Sequence, residues 1–459
     1  MNLTETVIIS TNYQEINHTF KDISMKDCDG IMNRAPKIFL ILLIVACSAG
    51  LCSSAARDQI NDPVPGNYLL GIFGNANMDE TIDELDIAYI EGVINGANTP
   101  SNLSDANCDG LVDDRDLEQV QKIIDGTESE ISILDAQKRN VTLTVPIKKA
   151  VAVNTGALEI IRAIGVDVSD VFAGVSSYAI ANALYWPELK DTQSITYGSP
   201  DYEQLATLKP DVVILYKAPK KDESFDKYQA IGVPVICMDC FNQKEMDGSI
   251  KIFGELFSKR AEANDLIEWY HKYVDLVVQR TGGLSESERP KTLFYNYPES
   301  NYPLLKASNS KTGEHTMIVQ AGGTNIAENL NSSSGVAEAE WEWLLAEDPE
   351  IIISNVVAAE DKSGYSANES ACDYMKGILD MLQNDTTISS TAAGRNGRIF
   401  IICTDINRGP MQAAGTVLMA KLVHPDLFED LDPESILKEY YESWQNIPYR
   451  GIYVYPPLE

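Results

Sequence analysis

From Gly126 onward, short apolar runs alternate with stretches of helical spacing. Ala150–Val153, Val212–Tyr216, Val233–Met238, Thr292–Tyr295, Glu350–Ser354 and Arg398–Cys403 are brief and mostly apolar. Such runs predict strands buried on both faces, and their alternation with helices predicts parallel sheets. Ile131–Leu134 and Val141–Val145 flank a polar turn and predict a hairpin ahead of them. Arg260–Thr281 holds neither proline nor glycine and stops at Gly282-Gly283, which predicts one unbroken helix. Leu266, Tyr270, Tyr273, Val277 and Val278 form its apolar face. At this length it measures about 33 Å, enough to tie two lobes together and limit their relative motion.

An internal repeat brackets that helix. Glu203-Gln204-Leu205 precedes Pro210-Asp211 and the run VVILY, while Glu342-Trp343-Leu344 precedes Pro349-Glu350 and the run IIIS. In both copies the proline lies seven residues after the glutamate, and the copies are 139 residues apart. A helix, a proline stop and a strand, used once in each of two similar domains, account for the pattern.

Composition narrows the function classes. A chain of 459 residues is expected to form two to four domains, and 44% hydrophobic content is too high for a disordered chain. Lys+Arg is 36 and Asp+Glu is 68, a formal net charge of -32. That argues against nucleic acid and anionic lipid surfaces, and suits cation binding or an acidic solvated exterior. The histidines are His18, His271, His315 and His424, too few for a three-histidine zinc site to be expected.

The apolar run from Ile38 to about Leu51 is short for a membrane span, which takes roughly 20 residues. Arg34 and Lys37 precede it and small residues follow, the order of a secretory signal. Met1, Met25 and Met32 are all readable as the start. Ile44-Val45-Ala46-Cys47 resembles a lipobox with Cys47 lipidated, and Ser54-Ala55-Ala56 resembles an ordinary cleavage site. An uncleaved anchor is a third reading. Each exports the rest of the chain to the exterior or the cell surface, with membrane association through the signal or a lipid in two of them. Cys28, Cys47 and Cys52 fall in or before the signal, leaving Cys108, Cys237, Cys240, Cys372 and Cys403. Five cannot all pair internally. Cys237 and Cys240 read as small hydrophobes near a strand end rather than a redox or metal pair.

Two further segments repeat 30 residues apart: NANMDETIDELD from Asn75 to Asp86, and DANCDGLVDDRD from Asp105 to Asp116. Each sets oxygen-bearing side chains at loop positions 1, 3, 5, 9 and 12. A 12-residue loop of this spacing wraps ligands around one hard cation such as calcium. The first loop offers Asn75, Asn77, Asp79, Asp83 and Asp86, with the Thr81 carbonyl. The second offers Asp105, Asn107, Asp109, Asp113 and Asp116, with the Leu111 carbonyl. A helix is expected after each, carrying Leu85, Tyr89 and Val93, then Leu117, Val120 and Ile124. The closing aspartate and the absence of a leading helix resemble the dockerin module, over about residues 67–126. That resemblance implies a cohesin partner. The second loop, with four carboxylates and Gly110 at its sharp turn, is expected to bind calcium more tightly than the first. The first has three carboxylates, and Glu80 at the turn predicts backbone strain of about 1 kcal/mol.

From about Val141 to Tyr449 the chain resembles the substrate-binding proteins of ABC importers for iron chelates and vitamin B12. The likeness rests on AVAVNTGALEIIRAIG from Ala150, YEQLATLKPDVVILY from Tyr202, AGGTNIAENL from Ala321, the stretch from Glu342 through the run at Ile351, and GRIFIICTD from Gly397, in that order around the spanning helix. It implies an α/β fold of two Rossmann-like lobes, with mostly parallel sheets, joined by one long α-helix and holding ligand in the cleft between them. The small all-α dockerin-type module with its two calcium loops stands beside them. The expected division is 1–56 extension and signal, 67–126 module, 130–258 first lobe, 259–283 bridging helix and 290–450 second lobe. The resemblance also implies a membrane permease and its ATPase as partners, with one glutamate per lobe for docking. Glu203 and Glu342 match that motif position.

In open α/β sheets, ligands sit beyond the carboxyl ends of strands. The rule points to Asn154, Thr155, Tyr216 and Lys217 in the first lobe, and to Tyr295, Tyr297, Tyr302, His315 and Arg408 in the second. Tyrosines with cations suit an anionic, partly aromatic chelate; tyrosinate and His315 ligating ferric iron directly is the alternative. The leading expectation is an exported receptor that captures an iron–siderophore, haem or corrinoid and catalyses nothing. No GxSxG elbow, HExxH or Ser-His-Asp arrangement is evident. A secreted hydrolase bearing a dockerin, using paired carboxylates, and a structural cell-surface protein remain as rival readings.

Overall fold

The computed structural model describes residues 68–298 and 304–458. The signal segment, both of its readable exits and Tyr302 lie outside the described residues.

The chain opens with the two loop–helix units. Helix α1 (Glu84–Ile94) and helix α2 (Asp114–Asp125) each start from an aspartate N-cap, Asp83 and Asp113. The last acidic residue of each loop folds back on its own turn. Asp86 accepts the Asn77 and Asp83 N–H groups at 3.0 and 2.9 Å, and Asp116 accepts those of Asn107 and Asp113 at 3.1 and 2.8 Å. Equivalent residues of the two copies, Ala76 with Ala106 and Ile90 with Val120, make one small core. The expected apolar face of α1 is displaced. Asp86 and Ile90 are buried while Leu85 is 64% exposed, because the inward turn of Asp86 rotates its neighbour into solvent.

The module is built into the lobe that follows it. Strands β1 (Glu130–Leu134) and β2 (Asn140–Thr144) form the expected antiparallel hairpin. Ile72 bridges to Ile133, and Leu70, Ile72 and Ile123 share a core with Ile131, Ile133 and Leu143. The Glu80 carbonyl accepts the Lys251 ammonium at 2.8 Å and the Tyr68 hydroxyl at 3.3 Å. Glu80 does not take a left-handed backbone, whereas Gly110 does (φ 92°). The strain expected at Glu80 is therefore absent, and the two loops differ in backbone path.

The first lobe contains β3 (Ala150–Ala152), helix α3 (Thr155–Ala163), β4 (Phe172–Ser176), β5 (Gln193–Ile195), helix α4 (Tyr202–Leu208), β6 (Val212–Tyr216), β7 (Val235–Met238) and helix α5 (Met246–Leu256). Its sheet runs β5-β4-β3-β6-β7, with every pairing parallel. Helix α6 (Arg260–Thr281) is 22 residues long and unbroken. The second lobe holds β8 (Lys291–Tyr295), β9 (Leu305–Ser308), helix α7 (Gly313–Gln320), β10 (Thr324–Asn325), β11 (Val336–Ala339), helix α8 (Trp341–Glu347), β12 (Ile351–Val356), β13 (Ile399–Cys403), helix α9 (Gln412–Val423) and β14 (Val454–Tyr455). Its order is β11-β9-β8-β12-β13-β14, with β10 on β8. Here β8, β12 and β13 are parallel, and β9, β11 and β14 add antiparallel margins, so this sheet is mixed.

The internal repeat has a structural purpose. Lys209 and Asp348 end α4 and α8 in the left-handed conformation, at φ 48° and 46°. After the proline, the Asp211 and Glu350 N–H groups donate to the Lys149 and Lys291 carbonyls at 2.7 and 2.8 Å. Their carboxylates accept N–H groups at the entry of the neighbouring strand, Asp211 from Lys148 and Lys149 and Glu350 from Lys291. Each copy thus pins a strand's entry to that of the sheet's first strand.

Helix α6 packs on α5 from one lobe and on α9 from the other. Leu266, Tyr270, Tyr273 and Val277 are buried as expected, joined by Trp269, which stacks on Tyr440, and Val274. His271 reaches Asp247 on α5 at 2.7 Å and Asp275 at 3.0 Å. Burial opposes its charge, but hydrogen bonding and attraction to Asp247, then Asp275, prevail and raise its pKa from 6.5 to about 9. The folded value exceeds the unfolded one, so this stabilisation is complete below pH 6.5 and is lost as pH rises through about 9. We predict that His271→Gln removes on the order of 2–3 kcal/mol at pH 6 and much less at pH 10. Urea midpoints compared across that range check it; a pH-independent difference would refute the linkage.

Candidate functional site

The two lobes meet where their strands end. Just past β7, the Cys240 carbonyl accepts the Gly409 N–H at 3.2 Å. The Phe241 carbonyl accepts Gln412 Nε2 at 2.8 Å, and the same nitrogen donates to the Asn407 carbonyl at 2.8 Å. Gln243 Nε2 lies 3.3 Å from Thr416 Oγ1 on α9. A Cβ on Gly313 would stand 4.0 Å from the Phe241 carbonyl oxygen. These contacts join the two lobes at their strand ends.

Aromatic residues line the first lobe's strand ends. Tyr216 meets the Phe241 ring edge-on at 5.0 Å, and Tyr178 meets Tyr197 at 6.5 Å. Tyr178 is exposed. In the second lobe, Tyr297 stands two residues past β8 with φ 44° and is 46% exposed. Its N–H donates to Asn355 Oδ1 at 2.8 Å. Glu314, in the first turn of α7, accepts Asn407 Nδ2 at 2.8 Å.

The strand-end rule finds these neighbourhoods but misjudges several side chains. Asn154 is buried: its Oδ1 caps α3 through the Ala157 N–H at 3.2 Å, and its Nδ2 donates to the Met238 carbonyl at 2.9 Å. Thr155 is the half-buried first residue of α3. Tyr295 is buried in the second lobe's core, edge-on to Trp341 at 6.2 Å. His315 lies in α7 rather than a loop and is buried, with Nδ1 3.2 Å from Asn325 Nδ2, which makes that nitrogen the acceptor. Lys217 pairs with Asp239 at 2.8 Å and lines a separate pocket of about 500 Å³ beside the hairpin turn and residues Tyr68–Gly71.

Arg408 joins the lobes. It pairs with Glu159 of α3 at 2.8 Å, at an angle too bent for a hydrogen bond, and with Asp405 at 3.1 Å. Glu159 is fully buried and also accepts the Tyr440 hydroxyl at 3.1 Å. Gln445 donates to the Glu159 carbonyl at 3.0 Å and accepts Arg162 Nε at 2.7 Å. Burial pushes the Glu159 carboxyl up, and Arg408 pulls against it. Thr155, Tyr216 and Tyr297 are the expected residues that stay at least partly exposed near the strand ends. Phe241, Glu314 and Gln412 are residues the sequence reading passed over; a glutamate in a helix's first turn, or a glutamine heading an otherwise apolar helix, was the available signal.

Cys237 and Cys240 are placed as small hydrophobes, whereas Cys372 is exposed and Cys108 half-buried. Cys237 and Cys240 are buried and unbridged. Burial pushes the Cys237 thiol from 9.0 up to about 12, so no reactive thiolate is present there.

The chain thus has two α/β lobes joined through one unbroken helix, with aromatic residues at the strand ends. A family model described as periplasmic binding protein matches residues 151–405, more than half of the chain. The chain belongs to the periplasmic binding protein family and is a solute-binding protein, not an enzyme. The molybdate-binding protein MolA of Haemophilus influenzae is 22% identical over 351 residues, which are 69% of this chain and 92% of MolA. An uncharacterized ABC transporter substrate-binding lipoprotein of Bacillus subtilis, YvrC, is 21% identical over 65% of this chain and 87% of its own length. Among solved structures, a TroA-like periplasmic binding protein of Veillonella parvula, FepB, superposes with TM-score 0.60 at 22% identity, over 70% of this chain and 98% of that one. MolA bound to molybdate superposes with TM-score 0.56 at 21% identity, over 70% of this chain and 99% of its own. Among the described residues no helix is long and apolar enough to cross a membrane.

Truncating one partner of a buried ion pair strands the other charge. Arg408→Ala is expected to destabilise by roughly 3–5 kcal/mol, and Glu159→Gln in the same chain to restore part of the loss. Chemical denaturation checks both. An unchanged midpoint in the single variant would show that the pair does not hold the lobes.

Proposed function

We propose that this protein is the exported substrate-binding component of an ABC importer. It captures a metal chelate between its lobes and delivers it to a membrane permease and its ATPase. The observation that carries this reading is the build of the cleft, with the strand ends of both lobes meeting over Cys240, Phe241, Gln412 and Gly409 while one continuous helix spans the back. Family membership supports it, as does similarity to a molybdate-binding relative and to a lipoprotein of an ABC transporter. The cargo class, siderophore, haem or corrinoid, follows the family resemblance. Glu203 and Glu342 fit a docking role because both are exposed in the first turn of equivalent helices, α4 and α8. In vesicles carrying the permease and ATPase, replacing both by alanine is expected to abolish uptake and leave cargo affinity within about twofold, a shift below 0.5 kcal/mol. Normal uptake by the double variant would remove these residues from docking.

We further propose that the loop–helix pair is a dockerin-type module that binds calcium and a cohesin. Support comes from its repeated caps and shared core. Burial pushes the Asp86 carboxyl from 3.8 up to about 6, a desolvated charge that a cation would offset. No group of three or more acidic, histidine or cysteine side chains is gathered for a metal among the described residues. The proposed shells therefore depend on the Asn75, Asn77 and Asn107 oxygens and on the Thr81 and Leu111 carbonyls as well. Arg115 pairs with Asp109 and Asp113 at 2.6 and 2.7 Å and must swing away for the second loop to fill. Lys251 on the Glu80 carbonyl weighs permanently against a cation in the first. Calorimetry with calcium is expected to show two unequal sites, the tighter lost in Asp116→Ala and the weaker in Asp86→Ala. Equal sites, or the reverse assignment, would contradict this.

A further inference from the structure

We propose that the cleft selects a positively charged, hydrogen-bond-donating metal complex rather than an oxyanion or an anionic chelate. This rests on the receptor reading and adds the charge class of its cargo. Of the cations expected at the cleft, Lys217 is held by Asp239 and faces the module-side pocket, and Arg408 is held by Glu159 and Asp405. Lys220 and Lys221 lie further along the loop after β6, exposed to solvent and followed directly by Asp222 and Glu223.

What remains on the cleft floor accepts hydrogen bonds. Glu314 accepts the Asn407 amide and is also hydrogen-bonded by the Thr312 hydroxyl and its own backbone N–H, and no lysine or arginine pairs with it among the described residues. Asn407 Oδ1, Gln412 Oε1 and Gln243 Oε1 are buried with no donor. The orientation of the Gln412 amide is fixed, because its nitrogen serves two carbonyls. Gln412 as a whole is 1% exposed. A buried acceptor without a donor is costly, and a carboxylate beside it without a cation more so. A bound ligand carrying positive charge and N–H or O–H groups satisfies both. Burial pushes the Glu314 carboxyl up, while hydrogen bonds from its own backbone, Thr312 and Asn407 pull against it. The rings point the same way. Tyr216, Phe241 and Tyr297 flank this floor, and aromatic faces attract cations. The chain's net charge of -32 would draw a cation inward and repel an anion.

The test uses the full-length protein and calorimetry with four probes: a singly cationic ferric trihydroxamate, neutral cyanocobalamin, a trianionic ferric tricatecholate, and molybdate. The trihydroxamate is expected to bind most tightly. Glu314→Gln, which keeps the Asn407 hydrogen bond, is expected to weaken it about tenfold or more, with an unchanged melting temperature. Tyr297→Ala, at a half-exposed position, is expected to weaken it as well. Tighter binding of the tricatecholate or molybdate, or unchanged trihydroxamate affinity in Glu314→Gln, would overturn the charge assignment and leave the receptor reading intact. Failure of all four probes to bind would count against both.

Discussion

The arrangement of the lobes depends on one buried carboxylate being met from across the molecule. Glu159 lies in the first helix of the first lobe, without solvent access, and Arg408 reaches it from beyond the last parallel strand of the second. An unpaired carboxylate there would be untenable. The pair thus favours one relative placement of the lobes, with the Tyr440 hydroxyl on the Glu159 carboxylate and Gln445 linking the Glu159 carbonyl to Arg162. Helix α6 supplies the second constraint, packed on α5 and α9 at once. A lobe pair held at both places has little freedom to reshape itself around a ligand. A frame held at both places would favour affinity through preorganisation over closure.

Much of this was legible in the sequence, for physical reasons. Strands such as Val212–Tyr216 and Ile399–Cys403 are buried on both faces and so read as unbroken apolar runs. Helix α6 ended where its glycine pair said it would. The Glu–Pro repeat identified two comparable domains because proline and the acidic residue after it do the same work in each. Strands β4 and β5 were missed: one contains glycine and alanine and the other is three residues long, so neither carries a strong apolar signal. The antiparallel margins of the second sheet were missed for the same reason. Side-chain direction was the larger gap. Asn154, Tyr295 and His315 do stand at or near strand ends, yet the first two turn inward to partners tens of residues away and His315 to Asn325, ten residues on. The partner of Arg408 is in the other lobe, and no local pattern announces it.

The module was the most legible element locally and the least legible in context. Its oxygen-bearing side chains recur at one spacing within twelve residues, so two copies betray the loop–helix repeat. That Leu70, Ile72 and Ile123 pack into the first lobe's core, and that Lys251 reaches the first loop, depends on contacts across the chain. The consequence is thermodynamic. A cation held in the first loop would be linked to the packing of the lobe beside it, since Lys251 and Tyr68 reach the Glu80 carbonyl next to the proposed Thr81 ligand. A module hung on a free linker would carry no such linkage.

Likeness of fold does not carry over to the chemistry of the cleft. At 22% identity the relatives define the two-lobed frame, while the cargo is decided by a few side chains set into it. Among the described residues, Lys217 and Arg408 are paired with carboxylates, and under the proposal above the groups left for cargo are oxygens and aromatic rings. An oxyanion placed there would meet acceptors it could not satisfy and a carboxylate that repels it, whereas a cationic complex would complete the bonds the protein leaves open. The same frame can thus serve opposite charges, because the arginine that might have bound an anion is needed to keep the lobes in place.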